Sequence, residues 1–294
     1  MKLSQKLKSV TAEFDLYAKK YLSSYKYKTQ LWRAMKYGVL NGGKRIRPFL
    51  IIILSKHLKI KKSQYMRLAL ATEFVHAYSL IHDDLPGMDN DNMRRGKPTT
   101  HKKFDEATAI LAGNSLLTLA FQLLSDTKTH PSASVRSNII HNLAKISGHT
   151  GLAGGQSFDL LYEKKSVTEK EIIMMHELKT SKLFEFCMVA PLILSNNRST
   201  KKMKELRTYG KNFGLIFQAT DDLLDNTGKK RILGKSAQKD LKKNKGNIMK
   251  YKSISEVKSY CYDLANSSSD LQTLFDSKNN IFNQLIFHII DRVT

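Results

Sequence analysis

Residues 83–89 read Asp-Asp-Leu-Pro-Gly-Met-Asp and follow an apolar segment that has the period of a helix. Pro86 disfavours helical geometry at the residue before it, so the helix is predicted to end at this cluster. The carboxylates would then face the negative end of the helix dipole, which costs stability unless cations neutralise them. Carboxylate oxygens combined with substrate phosphates are typical ligands of magnesium. The stretch therefore predicts a helix end that binds metal.

A second acidic cluster, Asp221-Asp222-Leu223-Leu224-Asp225, lies within another apolar segment. Asp221 and Asp225 are four residues apart, so they stack on one face of a helix with Asp222 beside them. Like charges at this spacing destabilise a bare helix. This cluster therefore predicts a second site for magnesium.

Helical periodicity dominates the whole chain, and the alternation typical of strands is almost absent. Pro48 suits the first turn of a helix, Thr168 with Glu171 reads as a capping box, and Gly228 can close the helix of the second cluster. No repeat or linker interrupts the pattern, so the fold class is predicted to be all-α, with a single domain over residues 1–294. The predicted helices cover residues 3–22, 28–40, 48–58, 62–83, 103–125, 133–148, 152–162, 169–194, 199–226, 236–244, 253–266 and 278–292.

The chain is strongly basic, with 49 lysines and arginines against 26 acidic residues and a net charge of +23. Such an excess suits nucleic acid, anionic lipid or a phosphorylated substrate. The lysines scatter along the chain instead of forming one stripe with aromatic platforms, so no binding of nucleic acid is predicted. The charge would still steer a polyanionic substrate towards the protein.

The two cysteines, Cys187 and Cys261, have neither the spacing of a metal site nor that of a disulfide framework. A reducing compartment is the simplest explanation, so a cytoplasmic location is predicted. No apolar run approaches the ~20 residues of a membrane span, and no transmembrane segment is predicted.

Basic residues in two loops predict sites for phosphate. In residues 41–48, two glycines allow close approach of the backbone, and Lys44, Arg45 and Arg47 precede or open a helix, which together form a cradle for an anion. Residues 94–97 supply two further arginines and a lysine close to the first acidic cluster. A basic loop of this kind, taken alone, is more often only a solvated surface. Together with the acidic clusters they describe one cavity for phosphorylated substrates.

The chain resembles the polyprenyl (isoprenyl diphosphate) synthase family, in particular its bacterial farnesyl diphosphate synthase type. The resemblance spans nearly the whole chain, with the same order and spacing of motifs. It rests on GGKRIRP (42–48), HAYSLIHDDLPGMDNDNMRRGKPTTH (76–101), ILAGNSLLTLAF (110–121), GLAGGQSFDL (151–160), ELKTSKLFEF (177–186), FQATDDLLD (217–225) and LGKSAQKDLKKNK (233–245).

This resemblance implies a helical bundle around a deep central cavity, usually as a homodimer. It implies head-to-tail condensation of isopentenyl diphosphate with dimethylallyl or geranyl diphosphate, which gives farnesyl diphosphate. A geranylgeranyl or geranyl diphosphate synthase of the same family is the alternative. The allylic diphosphate would ionise with the help of three magnesium ions, and the departing diphosphate is expected to take the proton.

The resemblance also assigns roles to individual residues. The magnesium ligands would be Asp83, Asp84, Asp89, Asp221, Asp222 and Asp225. Isopentenyl diphosphate would contact Gly43, Lys44, Arg47, His76 and Arg95. The allylic diphosphate would contact Arg94, Lys179, Lys235 and Lys245. Catalytic groups that face the reacting carbons would be Lys179, Thr180 and Gln218.

Product length is expected to depend on Tyr78 and Ser79, which lie about one helical turn before Asp83. An aromatic ring at this depth, together with the extra Pro86-Gly87 pair, resembles the pattern of the fifteen-carbon class. The chain departs from relatives after Lys245, where Gly-Asn-Ile-Met replaces a turn that usually contains threonine and proline.

Three other functions fit these motifs less well. A class I terpene cyclase shares the first acidic motif, but its second motif usually mixes Asn, Ser and Glu. A non-catalytic partner subunit would have lost one aspartate motif, and both are present here. A basic helical protein that binds nucleic acid is the alternative of a different class.

Overall fold

A computed structural model describes residues 2–226, 246–268 and 280–293 of the chain. The all-α prediction is confirmed. The helices are α1 (Leu3–Ser23), α2 (Gln30–Leu40), α3 (Ile46–His57), α4 (Lys62–Asp83), α5 (Thr100–Lys103), α6 (Glu106–Ser125), α7 (Ala133–Ser147), α8 (Leu152–Tyr162), α9 (Glu169–His176), α10 (Lys182–Leu194), α11 (Thr200–Asn226), α12 (Ile254–Ser267) and α13 (Ile281–Ile290). Short 3₁₀ turns lie at Ile248–Lys250 and Asp291–Val293, and in the described residues the only strands, β1 (Met93–Arg94) and β2 (Lys97–Pro98), form a small antiparallel hairpin.

The predicted boundaries hold for most helices, but two predicted helices are broken. Residues 103–125 divide into α5 and α6, because the side chain of Asp105 accepts a hydrogen bond from Thr108 N at 2.7 Å and starts a new helix. Residues 169–194 divide into α9 and α10, because a π-helical turn at Glu177–Ser181 lies between them. The predicted helix at 236–244 and its neighbour Gly228 lie outside the described residues.

The described chain forms two compact units, and the prediction of a single domain stays a prediction. The first unit includes Met1–Ile140 and is built around α4, which packs against α6, α3, α2 and α1. Fourteen of the 22 residues of α4 are buried, on all sides of the helix. Burial on all sides is typical of a central helix. The core of this unit therefore fixes the helix end that carries the first acidic cluster.

The second unit includes His141–Leu192 and is built around α11, which packs against α12, α13 and the π-helical turn. Two glycines allow this turn to lie close to its neighbours. A Cβ atom added at Gly155 of α8 would collide with the backbone of Lys179, and one added at Gly214 of α11 would collide with Ser181. The turn is therefore held between α8 and α11, with backbones in direct contact.

Helix α6 departs from the sequence prediction in one respect. An 18-residue window of this 20-residue helix has a mean hydropathy of 1.5, so by length and composition it could span a membrane. This is weak evidence for a span, because a core helix meets the same criteria, and 44% of the apolar window is buried. In the structure α6 packs against α4, α2 and α5 of the first unit.

Candidate active site

The first acidic cluster lies where α4 ends at Asp83. After Pro86 the chain turns back, and two hydrogen bonds close the turn: Asp89 N donates to Asp83 O at 2.8 Å, and Asn90 N donates to Leu85 O at 3.0 Å. The turn therefore brings the backbone of Asp89 beside that of Asp83. Both residues are partly exposed.

Asp84 is buried, and Arg94 holds its carboxylate. Arg94 Nε lies 2.8 Å from both carboxylate oxygens, and Arg94 Nη2 donates to Asp84 Oδ1 at 2.6 Å. Burial alone would lower the pKa of Arg94, but the Asp84 carboxylate raises it above its ordinary value. The predicted ligand of the allylic diphosphate thus pairs with one of the predicted metal ligands.

The hairpin directs two adjacent arginines to different partners. Its turn residues Arg95 and Gly96 have φ values of 53° and 74°, which is typical of a two-residue type I′ turn. Arg94 binds Asp84, whereas Arg95 donates to the carbonyl oxygen of Gly42. The hairpin therefore connects the acidic cluster with the glycine-rich loop in the same unit.

This loop and the residues around it form a cationic cradle, which we define as Gly43, Lys44, Arg47, His76 and Arg95. Gly43 has a φ of 127°, and a side chain there would collide with the guanidinium group of Arg95. Arg47 Nη1 lies 3.4 Å from His76 Nε2, which must accept because arginine only donates. Burial lowers the pKa of His76 well below its usual value, and the charges of Arg47 and Arg95 lower it further. His76 is therefore neutral at pH 7, and the positive charge of the cradle comes from Lys44, Arg47 and Arg95.

Arg45, which the sequence grouped with these cations, points away from the cradle, so that part of the prediction was wrong. Its guanidinium group is buried and donates to Glu73 Oε1 at 2.6 Å, to Asp15 Oδ1 at 2.8 Å and to Val39 O at 2.8 Å. Arg45 adopts the left-handed conformation (φ 49°) at the start of α3. It therefore ties the cradle loop to α1, α2 and α4.

The second acidic cluster occupies the last two turns of α11. Arg292, near the end of the chain, donates from Nη2 to Asp221 Oδ1 at 2.9 Å and to Thr220 Oγ1 at 2.6 Å. Its guanidinium group also lies 4.7 Å from the centre of the Phe217 ring. Asp221 and Asp225 are both partly exposed, as the four-residue spacing predicts for one face.

Asp222 differs from these two aspartates, because it points into the second unit and only 4% of its surface is exposed. Its Oδ1 accepts from Gln218 Nε2 at 2.9 Å, and its Oδ2 accepts from Ile248 N at 3.0 Å. His176 Nε2 lies 3.6 Å from Oδ2. Burial raises the pKa of Asp222, and the nearby His176 and the bond from Ile248 oppose that rise. Both carboxylate oxygens of Asp222 thus already accept hydrogen bonds from residues of the second unit.

The π-helical turn presents the two predicted catalytic residues that follow one another in the chain. Lys179 Nζ donates to Asp159 Oδ2 at 2.5 Å. Thr180 Oγ1 donates to Gln218 Oε1 at 2.8 Å. The structure therefore brings Thr180 and Gln218 together, and it places both within one chain of hydrogen bonds that continues to Asp222.

The remaining predicted residues are Tyr78, Ser79, Lys235 and Lys245. Tyr78 lies on α4, partly buried, with its ring edge-on to His82 at a centroid distance of 5.1 Å. Ser79 is buried, and its hydroxyl donates to His76 O at 2.9 Å. Lys235 and Lys245 lie outside the described residues.

The donors present suit magnesium only if the ion takes other ligands as well. In the described ranges, no three acidic, histidine or cysteine side chains converge to hold a metal ion. Magnesium usually binds one or two carboxylates and completes its shell with water and substrate phosphates. The partly exposed carboxylates of Asp83, Asp89, Asp221 and Asp225 fit that mode of binding.

Three contributors to the site have no role in the sequence predictions. Glu73 is the only acidic residue of α4 before Asp83 and lies among apolar neighbours, and this position could have signalled a buried ion pair. Asp159 lies in a quoted motif, but nothing in the sequence relates it to Lys179. Arg292 gives no local signal, because its contact with Asp221 joins residues 71 positions apart.

We expect Glu73→Gln to lower the free energy of unfolding by about 3 kcal/mol, because it leaves the buried charge of Arg45 without its main partner. Urea denaturation at pH 7 measures this change. Glu13→Gln is the control: its partners Lys56 and Lys62 have side chains that are 45% and 66% exposed. Such a surface pair contributes less than about 1 kcal/mol. Equal losses in the two variants would contradict the role given to Arg45.

Known proteins resemble this chain in sequence and in structure. The family model for polyprenyl synthetase matches residues 27–273. The chain is 41% identical over 250 residues to farnesyl diphosphate synthase of Haemophilus influenzae, with 84% of each sequence covered.

Two solved structures extend the comparison. A geranyltransferase from Legionella pneumophila is similar with a TM-score of 0.86 and 34% identity, covering 99% of this chain and 97% of that one. A geranyltransferase from Helicobacter pylori, complexed with magnesium and isoprenyl diphosphate, has a TM-score of 0.82 and 28% identity, covering 98% and 96%. Because the family model spans most of the sequence, the chain belongs to the polyprenyl synthetase family.

Proposed function

We propose that this protein is a farnesyl diphosphate synthase, a transferase that condenses isopentenyl diphosphate with dimethylallyl and then geranyl diphosphate. The observation that carries the proposal is the hairpin of the first unit. Its adjacent residues Arg94 and Arg95 serve an acidic cluster and a cationic cradle. Two neighbouring sites of opposite charge suit two diphosphates, one bound through magnesium and one bound directly by cations.

The cationic cradle is the proposed site for isopentenyl diphosphate. Arg47 and Arg95 present guanidinium groups, whose forked donors match phosphate oxygens, and Lys44 adds an exposed charge. His76 is neutral here, so it orients Arg47 and adds no charge of its own. Gly43 has no side chain, so its backbone can lie directly beside the guanidinium group of Arg95.

The acidic clusters are the proposed sites for the allylic diphosphate, with Asp83 and Asp89 in one and Asp221 and Asp225 in the other. Magnesium, which we propose as three ions, would supply positive charge that stabilises the leaving diphosphate. Arg94 and Lys179 would add donors once diphosphate competes for them with Asp84 and Asp159. The proposed roles of Lys235 and Lys245 rest on the sequence resemblance alone.

The residues of the π-helical turn would act on the hydrocarbon part of the substrate. When the allylic carbon–oxygen bond breaks, positive charge develops on carbon, and fixed dipoles that face this charge stabilise it. Thr180 and Gln218 carry oxygens suited to that purpose. The double bond of isopentenyl diphosphate then attacks, and we propose that the departing diphosphate accepts the proton released. No nucleophile from the protein is needed.

A geranylgeranyl diphosphate synthase is the second candidate, because the same acidic clusters and cradle would serve a longer product. Tyr78 favours the fifteen-carbon product. Its ring lies on α4 before the first acidic cluster and is fixed by contact with His82. We propose that this ring limits the length of the growing chain. Cytoplasmic location and the absence of a nucleic-acid partner stay predictions from the sequence.

We further propose that the protein is a homodimer joined through α6. This helix exposes 44% of Ile110 and 53% of Leu111. Leu117 and Phe121, which lie on the same helical face as Ile110, are only partly buried. A second copy of the chain would remove this apolar stripe from water, which also explains the high hydropathy of α6 without a membrane.

The proposed activity is tested with purified protein, magnesium, isopentenyl diphosphate and either dimethylallyl or geranyl diphosphate. After dephosphorylation, we expect farnesol as the main alcohol. Geranylgeraniol as the main alcohol would favour the second candidate. Magnesium-dependent cyclic hydrocarbons, or no turnover of either allylic diphosphate, would contradict the proposal.

We expect Tyr78→Ala to shift the main product from fifteen to twenty or more carbons, because it removes the ring that limits chain length. Chromatography of the dephosphorylated products measures the shift. Tyr78→Phe keeps the ring and should leave the product distribution unchanged. An unchanged distribution in Tyr78→Ala would rule out this role for Tyr78.

We expect Leu111→Glu to convert the dimer into monomers, because a charge buried at the α6 interface is costly. Sedimentation equilibrium measures the mass. Leu16→Glu is the matched control, since Leu16 is 71% exposed on α1, and it should remain dimeric. A monomeric wild-type protein, or a dimeric Leu111→Glu variant, would contradict the proposed interface.

A further inference from the structure

Three side chains of the second unit form a continuous chain of hydrogen bonds. Thr180 Oγ1 donates to Gln218 Oε1 at 2.8 Å, and Gln218 Nε2 donates to Asp222 Oδ1 at 2.9 Å. The other carboxylate oxygen of Asp222 accepts from Ile248 N at 3.0 Å. Thr180 and Asp222 are 7% and 4% exposed, so these bonds face little competition from water.

The direction of this chain depends on Asp222. Both carboxylate oxygens of Asp222 accept hydrogen bonds in the structure, so Gln218 turns its NH₂ group towards Asp222. The amide oxygen of Gln218 then faces Thr180, and the Thr180 hydroxyl must donate to it. The hydrogen of this hydroxyl is thereby used, and its lone pairs remain to face another group.

We propose that Asp222 is a positioning residue, not a metal ligand, and that it orients Gln218 so that the Thr180 oxygen presents its lone pairs to the substrate. This inference rests on the proposed function, in which Thr180 faces the carbon that becomes positively charged. Lone pairs stabilise such a charge, whereas a hydroxyl hydrogen pointing at it would oppose the reaction. Within the second acidic cluster, Asp221 and Asp225 thus bind metal, whereas Asp222 sets the direction of the Thr180 hydroxyl dipole through Gln218.

The neighbours of Asp222 support this division. His176 Nε2 lies 3.6 Å from Asp222 Oδ2 and 3.5 Å from Gly246 O. Both of these neighbours are acceptors, so Nε2 carries a hydrogen. Ile248 N donates to Oδ2 from inside the unit, and the His176 ring lies beside it. Asp221, by contrast, has a side chain that is 28% exposed and is paired with the cation of Arg292.

The variant Asp222→Asn should reverse the chain. Ile248 N presents its hydrogen to the place of Oδ2, so the oxygen of the introduced amide must lie there and its NH₂ group must face Gln218. Gln218 would then turn its oxygen towards position 222 and its NH₂ group towards Thr180. The Thr180 hydroxyl would become an acceptor, and its hydrogen would point towards the substrate.

A second substitution should restore the original direction. In Asp222→Asn with Gln218→Glu, the carboxylate at position 218 accepts both from the amide at position 222 and from Thr180. The hydroxyl of Thr180 must donate again, and the net charge of the pair is the same as in the wild type. If Asp222 were a metal ligand, no such rescue would occur, because the carboxylate of the double variant lies at position 218, one helical turn away from the metal site.

The first test is kinetic. We expect Asp222→Asn to lower kcat about 100-fold, the size of effect typical for one oriented dipole, with little change in the KM of either diphosphate. The double variant should recover most of this loss. In a Thr180→Val background, where no hydroxyl remains, Asp222→Asn should lower kcat by less than about threefold. The proposal would be overturned if Asp222→Asn lowered kcat as strongly in the Thr180→Val background as in the wild type. It would also be overturned if Gln218→Glu did not rescue Asp222→Asn.

The second test does not depend on turnover. Thermal unfolding is followed with and without magnesium plus inorganic pyrophosphate. We expect Asp222→Asn and the double variant to keep the wild-type rise in Tm, whereas Asp221→Asn loses most of it. Loss of the rise in the double variant would show that Asp222 binds metal, and this variant carries the test if the single one does not fold. Inactive wild-type protein would refute the proposed function, while the rise in Tm would still report on Asp222.

Discussion

Carboxylates within a few residues of one another repel, and every other feature of the site depends on how this repulsion is offset. In the first cluster, Arg94 binds Asp84 through two nitrogens. In the second cluster, Arg292 binds Asp221, and donors inside the unit bind Asp222. Each cluster therefore has one aspartate buried among donors and two that stay partly exposed. This arrangement keeps the acidic groups together in the folded chain and leaves partly exposed oxygens within reach of a cation.

The rest of the fold places these groups. In the first unit, the buried helix α4 and the ion pair of Arg45 with Glu73 fix the acidic cluster and the cradle relative to each other. In the second unit, Gly155 and Gly214 allow α8 and α11 to approach the π-helical turn that carries Lys179 and Thr180. Positions that cannot carry a larger side chain are thus as important to this arrangement as the side chains that form its hydrogen bonds.

The sequence predicted the helices well, because periodicity and capping signals are local. The predicted helices at 62–83 and 152–162 have the observed bounds, and the capping box of Thr168 with Glu171 is confirmed. It missed the π-helical turn, because one extra residue in a helix barely alters the apolar pattern. It also grouped Arg45 with the cradle, although its guanidinium group pairs with Glu73. Residue type fixes charge, but the direction of a side chain depends on partners far away in the sequence, such as Glu73 and Ile248.

The most direct test of this account is the stability of the wild-type protein with magnesium alone, with pyrophosphate alone and with both. The partly exposed aspartates in the described part of the chain offer too few ligands for an ion by themselves, and Arg94 and Arg292 already pair with Asp84 and Asp221. We therefore expect a large rise in Tm only when magnesium and pyrophosphate are present together. An equally large rise with magnesium alone would contradict the account, because it would show that the aspartates form a complete metal site without substrate.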